Sequence, residues 1–302
     1  MGGMVHIPSA IIPPLLRAGR ANATYITAEG ARKRVRDREL RPEPYGPPRR
    51  LRTDVRVQVS HAAGRQVYAL TPAVAAPVGT VIYAHGGGWV NEISPPHWHL
   101  AAQIAAQACT TVLLPIYSLV PFGTAQQAQS LVVDLAMDAA GRGPVGLAGD
   151  SAGGQIALSA ALALRDAGTQ LAATVLISPA LDLTWSNPRI PEVQPTDPWL
   201  GTPGGRVLAE LWRGDLKLTD PAVSPLFGEF ARLGALSIFT GTRDVLNPDA
   251  HVLAQNARAA GVSVMLVEEA GQLHVYPLLP TAIGQAARGA IVLLLSNALR
   301  SR

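Results

Sequence analysis

The sequence predicts an α/β fold: a mostly parallel, eight-stranded sheet with helices on both faces and a helical lid over the strand ends. Three observations predict it. Short, continuously apolar runs rich in Val, Ile and Leu recur along the chain, bounded by Gly, Pro or Asp, as strands buried on both faces require. Helix-length stretches separate most of these runs, and such alternation calls for parallel strands joined by crossovers. The 302 residues are 48% hydrophobic and 15% charged, which suits one large buried core and excludes a disordered chain.

The elements follow in order. Residues 1–50 read as helix, break, helix and Pro-rich linker: Thr24 is positioned to cap a helix through Leu40, which the Pro-rich run at 42–48 stops. The main domain is expected over 51–302. In residues 54–60, Val55, Val57 and Val59 alternate with polar residues, so this strand is half-buried, and 65–71 pairs with it across Ala62-Ala63-Gly64. Six buried strands are expected at 80–84, 111–116, 145–148, 174–177, 236–240 and 262–267. Helices are expected at 96–108, 125–140, 152–167, 249–260 and 283–299. The stretch 185–219 is rich in Pro and Trp, is too long for a simple loop, and is expected to form the lid together with the N-terminal helices.

The formal net charge is +4. A basic run from Arg32 to Arg38, followed by Arg41, Arg49, Arg50 and Arg52, is interrupted by acidic and Pro residues and carries no binding motif. It reads as a solvated helix face and its tail, with no nucleic-acid partner expected. The single cysteine, Cys109, allows no intramolecular disulfide; its apolar neighbours suggest a buried, inert thiol. The N-terminus lacks the pattern of a signal peptide, and no unbroken apolar run approaches the length of a membrane span. A cytoplasmic protein without stable membrane insertion is therefore expected. No Cys/His cluster suggests a metal, and no cofactor is expected.

Two motifs carry chemistry. Gly149-Asp150-Ser151-Ala152-Gly153 joins a strand to a helix, a sharp turn that presents Ser151 as a nucleophile and needs residues of minimal bulk two positions to either side. The alternative is a Gly-rich turn that merely packs or cradles a phosphate. His85-Gly86-Gly87-Gly88-Trp89 follows an earlier strand. Three consecutive glycines cost chain entropy, and they leave backbone N–H groups open to a developing oxyanion. His85 precedes the nucleophile and reads as a structural hydrogen-bonding group.

In the chain order nucleophile, acid, base, only His251 and His274 are available as bases. His251 lies within a helix, whereas His274 lies on a loop after the last strand, where a base belongs. Asp244 directly follows the strand at 236–240 and is the candidate acid; nearby Asp249 is assigned as the cap of the next helix.

On its two motifs the chain resembles the hormone-sensitive-lipase-like branch of the α/β-hydrolases, a family of carboxylesterases. Weaker matches are Ile177 to Thr184 and Ser224-Pro225-Leu226; departures are Asp244-Val245-Leu246 at the acid and Tyr117 to Phe122, which lacks the family's Arg and Glu. The resemblance, over residues 54–300, implies the α/β-hydrolase fold, an oxyanion hole from the N–H groups of Gly87, Gly88 and Ala152, and short-to-medium acyl esters as substrates. It also implies a homodimer, which many members form. Trp89, Trp185 and Trp199 either line the substrate pocket or form lid core. Alternatives on the same triad are an amidase or lactonase, and on the same fold a non-catalytic ligand-binding protein.

Overall fold

The computed structural model describes residues 6–301. Before the sheet come α1 (Ile12–Ala18) and α2 (Ala28–Leu40). The cap of α2 is Thr27 rather than Thr24: its Oγ1 accepts the Gly30 N–H at 2.9 Å, whereas Thr24 lies in the preceding turns with its carbonyl against α7 (Thr202–Trp212).

Eight strands form one sheet: β1 (Val55–Ala62), β2 (Arg65–Pro72), β3 (Thr80–Ala84), β4 (Thr111–Pro115), β5 (Val145–Asp150), β6 (Ala173–Ile177), β7 (Leu236–Gly241) and β8 (Val264–Glu269). Their order is β1-β2-β4-β3-β5-β6-β7-β8. The β1–β2 and β2–β4 pairs are antiparallel and all the others parallel. Ala63 and Gly64, both at positive φ, make the two-residue turn of the first hairpin, a twist that suits paired strands.

The crossover helix α3 (Pro95–Gln107) and α9 (Ala282–Arg300), which follows the last strand, cover one face, and the crossover helices α4 (Ala125–Ala140), α5 (Ala152–Asp166) and α8 (Asn247–Ala259) the other. α5 is buried almost all round; its many Gly and Ala residues let it lie close to β5. α9 is the described helix long and apolar enough by composition to cross a membrane, a feature that counting unbroken apolar runs overlooks. Ile291, Leu295 and Leu299 pack it onto the sheet.

Between β6 and β7 the insertion carries the single turn α6 (Ile190–Val193) and then α7. α2 packs on α7, so the N-terminal segment and the insertion form one layer above the carboxyl ends of the strands. Two smaller expectations change. Asp249 lies inside the first turn of α8, where its Oδ1 accepts the Asn187 Nδ2–H at 2.7 Å instead of capping. Cys109 is only half-buried, because it turns the chain at positive φ between α3 and β4.

Candidate active site

Each element of the site stands at the carboxyl end of a strand. Ser151 sits between β5 and α5 at φ 54°, ψ −120°, a conformation a non-glycine residue rarely adopts. The turn tolerates no bulk beside it. A Cβ on Gly149 would lie 2.3 Å from the Gly153 carbonyl oxygen, and one on Gly153 would lie 2.0 Å from that of Ala84. The Ser151 N–H donates to the Ile177 carbonyl at 2.8 Å, which anchors the turn to β6.

His274 and Asp244 converge on this serine. His274 Nε2 lies 2.9 Å from Ser151 Oγ, and His274 Nδ1 lies 2.9 Å from Asp244 Oδ2. Asp244 is fully buried, and its Oδ1 accepts the Leu246 N–H at 2.9 Å. The partner carboxylate means that Nδ1 carries the proton and Nε2 accepts from the serine hydroxyl. Burial is the largest single influence on His274 and lowers its pKa. The charge and hydrogen bond of Asp244, with the charges of Asp197 and Asp150, together outweigh it and hold the imidazole above its ordinary value.

The two loops are laced together. The Arg243 N–H donates to the Gln272 carbonyl at 3.0 Å, and the Val275 N–H to Ser178 Oγ at 3.0 Å. The edge of Trp199 packs against the His274 ring at a centroid distance of 5.8 Å.

The glycine loop runs past the serine. Gly87 and Gly88 have φ of +124° and +62°, and the N–H groups of Gly87, Gly88 and Ala152 donate to no group among the described residues. This loop is fixed by a residue that sequence reasoning passed over, Asp150. Its Oδ1 accepts the Tyr83 hydroxyl at 2.7 Å and the Gly86 N–H at 3.0 Å, and its Oδ2 lies 3.2 Å from His97 Nε2. The Ser94 N–H donates to His97 Nδ1, so Nε2 carries the ring proton and donates to Asp150. Burial pushes the Asp150 carboxyl up, but the neighbouring His97 and these hydrogen bonds bring it below the ordinary carboxylate value. Sequence position gave one signal for Asp150, its place beside Ser151. His85 is buried and stacked on Tyr117, and burial, helped by His97, brings its pKa down to about 4.

A second overlooked residue is Asp197, in the insertion. Its Oδ1 accepts the N–H groups of Trp199 and Leu200, and its Oδ2 that of Val245, next to Asp244. Burial and then the charge of Asp244 push its pKa up to about 6. No local sequence pattern marks its tie to the acid loop, because Val245 lies 48 residues away.

Ser151 stands between two unequal spaces. A cleft of about 490 Å³ is lined by Ser151, His274, Trp199 and the polar group Arg34, Glu43, Asn91 and Glu92. On the other side of the serine lies a pocket of about 30 Å³, lined by Gly88, Ala152, Trp89, Trp185 and apolar residues of the insertion. Trp89 and Trp185 thus border the small pocket and Trp199 the large cleft. Among the described residues, no group of three or more His, Cys, Asp or Glu side chains could hold a metal ion.

Comparison with known proteins agrees with this layout. A family model described as alpha/beta hydrolase fold matches residues 81–278. A triacylglycerol lipase of Mycobacterium tuberculosis is 32% identical over 230 residues, 74% of this chain and 47% of its own length. The chain therefore spans about half of that relative. An acetyl-hydrolase of Streptomyces hygroscopicus is 35% identical over 210 residues, 67% of this chain and 70% of its own. Among solved structures, an esterase from the bacterial hormone-sensitive lipase family superposes with a TM-score of 0.81 at 24% identity, covering 98% of this chain and 100% of that one, a likeness of fold.

Proposed function

The chain belongs to the α/β-hydrolase fold family, and from that premise we propose that it is a carboxylic ester hydrolase acting through Ser151, His274 and Asp244. The observation that carries the reading is the relay from Ser151 Oγ through the imidazole to Asp244, two contacts of 2.9 Å beside three undonated N–H groups. Relatives named as a lipase and an acetyl-hydrolase support the same chemistry.

In the first half-reaction His274 Nε2 takes the Ser151 hydroxyl proton as Oγ bonds to the ester carbonyl carbon. The carbonyl oxygen gains the negative charge and is held by the N–H groups of Gly87, Gly88 and Ala152. Asp244 stabilises the imidazolium. Collapse breaks the bond to the alcohol oxygen, which leaves with the proton from Nε2. Water then gives its proton to Nε2 and attacks the acyl-enzyme, releasing the acid and restoring Ser151.

The alcohol oxygen must reach the His274 proton, so the leaving group occupies the large cleft that His274 lines, and the acyl group occupies the small pocket that it does not. The N-terminal segment and the insertion act together as the lid. The test is labelling with a fluorophosphonate probe together with hydrolysis of p-nitrophenyl acetate. Labelling and turnover in the native protein, both absent in folded Ser151→Ala, support the reading; an unlabelled, inactive native protein overturns it.

A further inference from the structure

The two spaces beside Ser151 differ more than tenfold in volume, about 490 Å³ against about 30 Å³. The smaller has room for about two water-sized groups beyond the carbonyl carbon. Trp89, Ala180, Trp185, Leu200, Leu208 and Leu246 are buried walls with little slack, and half-buried Tyr25 lines both this pocket and the cleft.

Trp185 differs from the rest of this wall. It is a non-glycine residue at φ 56°, and its indole N–H is buried with no hydrogen-bond partner among the described residues. Both features oppose folding, and both are kept. Its ring fills the space that a side chain at position 205 would take: a Cβ on Gly205 would lie 2.2 Å from ring atom Cζ2. The neighbouring Gly204 gives way in the same manner to the backbone of Thr24 and Tyr25. The glycine pair in α7 therefore admits the N-terminal segment on one side and the Trp185 ring on the other, and the ring borders the small pocket.

We propose that Trp185 is the wall that sets acyl length, restricting the acyl group to about two or three carbons, so that the substrate is an acetyl or propionyl ester of a bulkier alcohol. The proposal rests on the ester-hydrolase reading and narrows its substrate class. An acyl chain of six carbons would need Trp185 displaced from its seat on Gly205, a rearrangement of a packed layer.

The experiment compares p-nitrophenyl acetate, propionate, butyrate, hexanoate and octanoate as kcat/KM on the native protein, Trp185→Ala and Leu208→Ala. The native protein is expected to favour acetate or propionate over hexanoate by at least about tenfold, the discrimination a tight apolar pocket provides. In Trp185→Ala the hexanoate-to-acetate ratio is expected to rise at least about tenfold. Leu208→Ala opens the same wall from α7 and supplies the same readout if Trp185→Ala does not fold. A native optimum at hexanoate or octanoate overturns the proposal while leaving the ester-hydrolase reading intact. So does an unchanged ratio in the variants. A folded native protein that hydrolyses no member of the series overturns both.

Discussion

Asp197 Oδ2 accepts the N–H of Val245 at 2.9 Å, which ties the insertion to the residue after Asp244. The neighbouring Thr196 carbonyl accepts Arg243 Nε–H on the other side of Asp244. The loop that supplies the acid is therefore gripped by the insertion on both flanks, and the charge of Asp197 is felt at His274.

This gives a pH prediction. His274 must be neutral to act as base, and its pKa is raised, so kcat/KM is lost as pH falls through a midpoint above the ordinary histidine value. Asp197→Asn removes a negative charge that favours the imidazolium, so the acid limb moves to lower pH. The charged groups that act on His274 are Asp244, Asp197 and Asp150. A pH–rate profile checks this, and an unmoved midpoint in a folded Asp197→Asn protein contradicts it.

Removal of Ser151 as alanine is expected to lower kcat by a factor on the order of 10⁶, and Asp244→Asn by about 10⁴ through loss of the imidazole's orientation. Steady-state hydrolysis of p-nitrophenyl acetate measures both. Because triad members act as a unit, the double variant should be scarcely worse than Ser151→Ala.

Asp150→Asn sets an amide against the His97 Nε2–H and weakens the hold on Gly86. The glycine loop then loses its register relative to the serine turn. A fall in kcat of about 10²-fold, the scale for a lost oxyanion donor, is expected with little change in KM. A rise in KM of the same size with kcat unchanged would mean that the loop binds substrate without serving the reaction.

Asp249 offers a test by stability. Burial above all, and also the charge of Asp182, push its carboxyl pKa up to about 7, against the usual value near 3.8. In the folded state it therefore holds a proton that the unfolded chain releases, and stability falls as pH rises from about 4 to about 7. Asp249→Asn abolishes this slope, and is expected to stabilise the protein at pH 8, by an amount on the order of 3 kcal/mol, relative to its effect at pH 4. Denaturant melts at the two pH values decide it.

The strands and crossover helices were readable because burial on both faces writes a continuous apolar run, and Val145 to Ala148 or Leu236 to Thr240 have few other readings. The residues of the relay were readable because the serine turn permits only small neighbours and the order of the partners follows from chain direction. What escaped detection depends on contacts made across the fold. Thr24 and Thr27 are equivalent capping candidates until the turns at 20–26 are built. Asp249 looks like a cap until Asn187 arrives from the insertion. The tie of Asp197 to the acid loop is invisible until the fold brings Val245 beside it.

Gln155, one turn after Ser151, accepts two indole N–H groups on a single oxygen, from Trp89 at 3.2 Å and from Trp212 at 2.9 Å. Its amide donates in turn to the Ala222 carbonyl at 2.7 Å. Swinging α7 away would break the Trp212 bond and withdraw that fully buried ring from its packing, at a cost on the order of 2 to 4 kcal/mol, so an open form would occupy only about one molecule in thirty to one in a thousand. Traffic to Ser151 therefore passes through the standing mouth of the cleft rather than through a hinged door, and turnover need not wait on an opening rate. The stacked Trp89–Trp212 pair is also a native fluorophore whose emission reports whether that door has stayed shut.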